Sequence, residues 1–155
     1  DARGLTLVLG DLNARVQVAQ DGEEDYIGRH TFDRENTTLH LQSEEVLDNR
    51  AHFVDMLVET DHIAINTMFE KDGSNKATFK QDRQHPGGPP WVRGKYEVLD
   101  YATINRIWRN ATRNAETDVQ ANVSSDHYPL MVELQVRLNA QEKRKLVDRK
   151  KYLKC

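Results

Sequence analysis

Short apolar segments separated by turn-forming stretches constrain the fold of this 155-residue chain more than any other feature. Residues 49–60 carry apolar side chains at helical spacing. Four other segments are short and rich in β-branched, leucine or aromatic side chains, which predicts strands: residues 5–9, 62–67, 76–80 and 96–105. Because strands and a helix follow one another along the chain, we expect a layered α/β fold.

The helix predicted at 49–60 begins beside two residues that favour a helix N-terminus. Asp48 and Asn49 each carry a side-chain oxygen that accepts hydrogen bonds from the first backbone N–H groups of a helix, so either is expected to be the N-cap. One face of the helix is apolar and is expected to pack against the core: Phe53, Val54, Met56 and Leu57.

The rest of the chain contributes two more strands and several loops. The composition of residues 114–122 predicts a polar strand. Residues 14–45 and 84–91 are expected to be loops because they are polar or rich in proline and glycine, with one short element expected near 39–47. Residues 139–155 predict a charged helix that serves as a linker or tail. Residues 129–138 alternate and predict a strand with these side chains on one face: Leu130, Val132, Leu134, Val136 and Leu138.

Composition excludes several classes of protein. No apolar run approaches the roughly 20 residues that span a bilayer, so no membrane partner is expected. The start of the chain lacks the pattern of a secretory signal. Cys155 is the single cysteine, which rules out a disulfide framework within the chain and a cysteine-based zinc site. We therefore expect an intracellular protein, nuclear or cytoplasmic.

The formal charge of −3 is unevenly distributed. Residues 139–155 hold seven basic and two acidic side chains, which leaves 15 basic and 23 acidic residues in 1–138. An acidic body suits a site for a hard cation, and it equally suits a plain soluble surface. Residues 76–113 are locally basic and include Trp91 and Trp108. This composition favours one of two structures. The basic side chains and tryptophans form a surface that binds along a DNA backbone, or the basic side chains form a loop and a solvated face while both tryptophans lie in the core.

The first stretch with chemical potential is Gly10-Asp11-Leu12-Asn13. Residues 7–9 are predicted to be core, and Gly10 is predicted to turn the chain so that a carboxylate and an amide emerge together. Taken alone, such a tetrad is more often an ordinary turn, because Gly, Asp and Asn all favour turns.

Two later stretches change that interpretation. Asp100 lies in a predicted half-buried strand, where a carboxylate is costly to desolvate without a partner. His127 follows Asp126 just before the last strand, and an imidazole is a good partner because a carboxylate fixes its tautomer. If the strand ends lie on one rim, these groups converge with Asp11 and Asn13. Carboxylates, an amide and an imidazole together suit metal-assisted hydrolysis of a phosphodiester.

The order G-D-L-N, L-D-Y and S-D-H-Y-P-L closely resembles the endonuclease/exonuclease/phosphatase superfamily. Over residues 5–138 the chain is most similar to the endonuclease domains of non-LTR retrotransposon proteins, which accompany a reverse transcriptase. The resemblance implies an α/β sandwich of the DNase I-like type. It also implies that residues 1–138 are only the C-terminal part of that domain, because the metal-binding Glu of the family precedes G-D-x-N. Residues 139–155 would then lead towards the rest of a longer polypeptide.

The resemblance also implies a role for each matching residue. Asp11 would position or activate the attacking water near the metal, and Asn13 would bind the scissile phosphate. Asp100 would orient His127, which would contact or protonate the phosphate. Asp126 would serve the metal and its water network, so that Asp11 and Asp126 are the expected metal ligands.

Two further positions and the cofactor complete the expected site. Thr78 and Ser125 match positions that steady this network or contact the DNA backbone. The implied cofactor is Mg²⁺, with Mn²⁺ as a substitute. The expected function is metal-dependent DNA endonuclease activity, weak or absent in these 155 residues alone. Two alternatives stay open: a non-catalytic remnant that binds nucleic acid or a partner, and a phosphatase or phosphodiesterase that acts on a non-DNA substrate.

Overall fold

The computed structural model describes residues 4–32, 43–80 and 96–137. These residues combine an α-helix with short strands, which confirms the α/β expectation at its coarse level. Three 3₁₀ helices span Ile65–Thr67, Gly73–Asn75 and Arg106–Ala111. The other elements, in chain order, are β1 (Leu7–Asp11), α1 (Glu44–Glu59), β2 (His62–Ala64), β3 (Phe79–Lys80), β4 (Tyr96–Glu97), β5 (Asp100–Asn105), β6 (Thr112–Thr117) and β7 (Leu130–Leu134).

The strands form three small antiparallel sheets. The largest has the order β1-β5-β2, and the other two are the pairs β3-β4 and β6-β7. In the largest sheet Leu7 lies opposite Ile104, and Asp11 lies opposite Asp100. Strand β5 is therefore central, and its first residue stands at the same end of the sheet as the last residue of β1.

Side chains of β5 enter two different cores, one on each face of the sheet. Tyr101 is buried against Phe53 of α1, with ring centroids 4.6 Å apart. Ala102 and Ile104 point the other way and pack with Ala115 of β6 in a second cluster. Because successive strand residues alternate between faces, β5 is held between α1 and the β6-β7 pair.

Helix α1 begins earlier than predicted. Ser43 occupies the N-cap position without a side-chain hydrogen bond, so the prediction of Asp48 or Asn49 as the cap is wrong. Glu44 and Glu45 in the first turn favour this earlier start because carboxylates complement the positive end of the helix dipole. The apolar face is as predicted: Phe53, Val54 and Leu57 are buried and Met56 is partly buried.

Strand β1 differs from its prediction in both extent and burial. It starts at Leu7 and continues through Gly10 and Asp11, so the chain does not turn at Gly10. Val8 and Leu9 are 39% and 55% exposed, which contradicts their prediction as core. The reason is the position of β1 at the edge of its sheet, where among the described residues it pairs with β5 alone.

Other predicted strands are shorter or divided. The segment 62–67 is a strand only to Ala64, because the hydroxyl of Thr67 donates to the carbonyl of Ala64 and closes a 3₁₀ turn. The segment 96–105 is two strands, β4 and β5, separated by Val98 and Leu99. The segments 76–80 and 129–138 reduce to β3 and β7, with Leu130, Val132 and Leu134 partly buried, and the segment 114–122 is replaced by β6, which begins earlier, at Thr112, and ends at Thr117.

Some predictions concern residues outside the described ranges, and one concerns the loop after β1. The predictions for 84–91, for Leu138 and for 139–155 concern residues that the structure does not describe. Residues 14–32 contain no helix or strand, as expected for the loop, apart from an isolated bridge between Ile27 and Ala64, whereas residues 44 and 45 of the predicted loop belong to α1. Within the described ranges, no helix has both the length and the apolar character needed to cross a bilayer.

Gly28 is packed too closely for a larger residue, and this gives a first prediction. A Cβ atom at Gly28 would lie 2.2 Å from the carbonyl oxygen of Thr67, whereas a Cβ at Gly10 would meet no atom within 4 Å. We expect Gly28→Ala to lower the free energy of unfolding by about 1–3 kcal/mol, measured by urea denaturation. Gly10→Ala is the control and should change it far less; equal losses in the two variants would contradict this packing.

Candidate active site

Two carboxylates face each other at one end of the largest sheet. Asp11 ends β1 and Asp100 begins β5, and the two residues are direct partners in the antiparallel register. Side chains so placed share one face and have Cβ atoms about 5 Å apart, a distance at which like charges destabilise a sheet. The pair therefore needs a positive group or a hydrogen-bond donor nearby.

His127 supplies that group. Its Nδ1 lies 2.8 Å from Oδ2 of Asp100, and its Nε2 lies 3.9 Å from Oδ2 of Asp11. Because an ionised carboxylate only accepts hydrogen bonds, the proton on the neutral ring is assigned to Nδ1. The imidazole thus bridges the two carboxylates, and its Nε2 faces the more exposed one.

The segment that carries His127 is fixed along β3. Lys80 N–H donates to the carbonyl of Asp126 at 3.0 Å, and Tyr128 N–H donates to the carbonyl of Thr78 at 2.8 Å. Phe79 lies between these two bonds, and its ring centroid is 5.1 Å from that of His127. These contacts bring a third chain segment to the rim, although the sequence alone did not indicate that β3 would pair with it.

Ser125 and Thr78 both act on the backbone of the site. The hydroxyl oxygen of Ser125 accepts the N–H of His127 at 3.0 Å, which fixes the turn before the histidine. The hydroxyl oxygen of Thr78 accepts the N–H groups of Leu99 and Asp100 at 2.9 and 3.0 Å. Thr78 is fully buried, so it lies behind Asp100 and offers no surface to a substrate, whereas Ser125 is exposed.

Asn13 lies beside Asp11 on the exposed side of the rim. Its N–H donates to Oδ1 of Asp11 at 2.8 Å, which closes a tight turn after β1. Its φ of 46° is in the left-handed region, which asparagine tolerates better than most residues. The side chain is exposed and makes no hydrogen bond to the described residues, so its amide is open to a ligand.

Electrostatics at the site act mainly on His127. Burial lowers the pKa of its imidazole, but the hydrogen bond that it donates to Asp100 and the charges of Asp100, Asp11 and Asp126 raise it. The raising effects prevail, so the pKa of His127 lies above the ordinary value of 6.5. A histidine of this kind is protonated in a larger fraction of molecules near neutral pH than a free one.

This shift predicts a measurable titration. We expect NMR to show His127 titrating above pH 6.5, and Asp100→Asn to lower its pKa. Since this pKa is higher in the folded chain than in the unfolded one, the interaction adds stability that is complete below pH 6.5 and is lost as the pH rises through the folded value.

His62 is the internal control for that titration. It is buried, with Nδ1 3.0 Å from the hydroxyl of Thr103, and desolvation lowers its pKa despite the charge of Asp61. His62 should therefore titrate below 6.5 and should not respond to Asp100→Asn. A titration of His127 below that of His62 would contradict the described geometry.

The carboxylates of Asp11 and Asp126 are suitable ligands for Mg²⁺. Among residues 4–32, 43–80 and 96–137, no three His, Cys, Asp or Glu side chains form a group that could hold a metal ion. Mg²⁺, however, keeps several waters and takes only one or two carboxylates. Asp11, whose side chain is 49% exposed, and Asp126 fit such a hydrated ion by the chemistry of their oxygens.

Two lysines in the described part of 76–113 make contacts within the protein. The amine of Lys76 donates to the carbonyl of His30 at 2.6 Å, and Lys80 is buried with its amine over the ring of Tyr96. Trp108 packs partly buried against the second core. These contacts favour the structural alternative for the described part of 76–113; Trp91 lies outside the described residues.

Comparison with known proteins adds no assignment. No protein-family model matches this chain, and no curated protein sequence is significantly similar to it.

Proposed function

We propose that this chain carries part of the catalytic centre of a metal-dependent phosphodiesterase that cuts DNA as an endonuclease. The observation that supports this most is the imidazole of His127 between two carboxylates, 2.8 Å from Asp100 and 3.9 Å from Asp11. Two like charges placed opposite each other at the end of a sheet destabilise it. Residues that lower stability in this way are typical of functional sites.

In the proposed mechanism Asp100 and His127 act as a pair. Asp100 accepts a hydrogen bond from Nδ1–H of His127, which fixes the tautomer and directs Nε2 towards Asp11 on the open side of the rim. The raised pKa of His127 favours the protonated ring, whose Nε2–H donates to a phosphate oxygen and stabilises the charge that develops there.

The other rim residues bind and orient the reactants. Asn13 donates from its exposed amide to the scissile phosphate, while Asp11 accepts a proton or hydrogen bond from the attacking water. Asp11 and Asp126 would hold a Mg²⁺ ion, which would supply positive charge that neutralises the phosphate. In the overall reaction the water oxygen bonds to phosphorus, one P–O ester bond breaks, and the leaving oxygen takes up a proton.

The proposal also covers the type of fold and the longer polypeptide to which this chain would belong. A DNase I-like sandwich, with this chain as its C-terminal part, would place further protein beside β1 and a metal-binding Glu near Asp11. The exposed Val8 and Leu9 at the edge of the sheet support such an addition. By resemblance, the longer polypeptide would be of the retroelement type.

Nicking of supercoiled plasmid tests the proposal. The natural polypeptide that contains these residues should convert supercoiled to open-circular DNA with Mg²⁺ and stop when EDTA removes the metal. The double variant Asp126→Ala, His127→Ala should be inactive, whereas His52→Ala, at an exposed position of α1, should match the wild type. Equal nicking by the double variant, or none by the wild type, would contradict the proposal; the second result would favour a non-catalytic role.

A further inference from the structure

Side chains bind both main-chain polar groups of Asp100. Its N–H donates to the hydroxyl of Thr78 at 3.0 Å, and its carbonyl accepts from Nδ2 of Asn66 at 3.2 Å. The position of a strand residue is usually fixed by the backbone of a neighbouring strand. Here the backbone of β1 pairs with one edge of β5, and at the other edge two side chains bind Asp100. One of them, Asn66, belongs to no part of the rim described so far.

The side chain of Asn66 bonds to the backbone of β5 beyond the point where β2 ends. Strand β2 pairs with β5 through His62–Ala64, opposite 103–105, and the chain then turns away as a 3₁₀ helix. Asn66 lies in this helix, and its Oδ1 accepts the N–H of Ala102 at 3.3 Å while its Nδ2 donates to Asp100. A side-chain amide has one acceptor and a donor side by side, so it reproduces the paired bonds that a strand residue would make.

We propose that Asn66 is a positioning residue for the Asp100–His127 pair. Its amide holds the backbone on both sides of Tyr101, and thereby fixes where the Asp100 carboxylate meets Nδ1 of His127. The inferred effect on rate rests on the proposed function, whereas the effect on the histidine does not.

The geometry explains why a small displacement would matter. The bond between Asp100 Oδ2 and His127 Nδ1 is 2.8 Å long, and hydrogen bonds weaken steeply as their geometry departs from the optimum. Asp100 is the first residue of β5, so without Asn66 its carbonyl loses its side-chain donor at the end of the strand where fraying is easiest. The carboxylate would then sample positions in which Nδ1 of His127 has no fixed acceptor.

Asn105 provides a matched control. It is the last residue of β5, and its Oδ1 accepts the N–H of Thr6 at 2.6 Å. Asn105→Ala thus removes an amide-to-backbone bond from the same strand at the end remote from the site. Asn66→Ala removes both bonds of Asn66, and Asn66→Ser is a milder second variant that leaves a polar group and room for water.

The readout is the tautomer of His127, measured in the folded 155-residue chain by ¹⁵N NMR of the ring at a pH where the ring is neutral. Wild type and Asn105→Ala should show the proton on Nδ1. In both Asn66 variants the tautomer of His127 should shift towards the mixture of tautomers that is expected for Asp100→Ala. An unchanged Nδ1–H tautomer in the Asn66 variants would overturn the proposal.

Activity separates this inference from the proposed function. In the natural polypeptide, Asn66→Ala should lower kcat for nicking by about 10- to 100-fold with little change in KM. It should cause no further loss when Asp100 is already alanine, because both changes break the same pair. A shifted tautomer with no nicking by any variant, including the wild type, supports the positioning role and contradicts the proposed function. A shifted tautomer with unchanged nicking overturns the effect on rate.

Discussion

Replacing Asp100 with alanine is expected to lower the rate of plasmid nicking by about 10²- to 10⁴-fold, the range in which general acid–base groups contribute. The change removes the acceptor for Nδ1 of His127, so the ring no longer presents a fixed Nε2 to the phosphate. It also removes the charge that raises the pKa of His127, and the protonated ring becomes scarcer near neutral pH. Nicking rates at saturating Mg²⁺ measure the effect.

Two further variants show whether the charge or the shape of Asp100 matters. Asp100→Asn keeps the size of the side chain and should also be strongly impaired, because an amide can place its NH₂ group against Nδ1. Asp55→Ala removes an exposed carboxylate from α1 and should nick at the wild-type rate. Wild-type nicking by Asp100→Ala would refute the role given to the pair.

Replacing Phe53 with alanine is expected to lower the free energy of unfolding by about 3–5 kcal/mol. The ring of Phe53 is 4% exposed and lies against Tyr101, the residue that follows Asp100 in β5. Truncation leaves a cavity between α1 and the sheet, which the surrounding side chains fill only in part. Urea denaturation followed by far-UV circular dichroism measures the loss.

Val58 on the same helix is the control for this change. Its side chain is 46% exposed, so Val58→Ala should alter the free energy of unfolding by no more than about 0.5 kcal/mol. A loss for Phe53→Ala as small as that for Val58→Ala would mean that α1 does not pack on the sheet as described.

The helix face was predictable because its pattern is local. Phe53 and Leu57 are four residues apart, and helical geometry places them on one face whatever the rest of the chain does. The exposure of Leu9 was not predictable, because it depends on which strands lie beside β1 and not on the residues of β1. The start of α1 was missed because the apolar pattern begins later than the helix, although Ser43 and the acidic first turn of Glu44 and Glu45 are sequence signals of a helix start.

Some residues of the candidate site could likewise be predicted from the sequence, and others could not. The need of Asp100 for a partner follows from the cost of a poorly solvated carboxylate, and His127 is where that partner was expected. Asn66 left no such signal, and Thr78 was expected here only because the resemblance implies that it steadies this network. Each binds backbone groups of β5 or its approach, and backbone groups are the same in every residue, so only the folded chain shows that side chains 34 and 22 positions away reach Asp100.

Binding of a small phosphodiester to the folded chain tests the central claim most directly, because it needs no turnover. The probe is the dinucleotide thymidylyl-thymidine, added with Mg²⁺ and followed by ¹H–¹⁵N NMR. Chemical-shift changes are predicted at Asp11, Asn13, Asp126 and His127, and they should weaken when EDTA removes the metal. No change at these four residues, or the same change in the double variant Asp126→Ala, His127→Ala, would contradict the claim that this rim binds phosphodiesters.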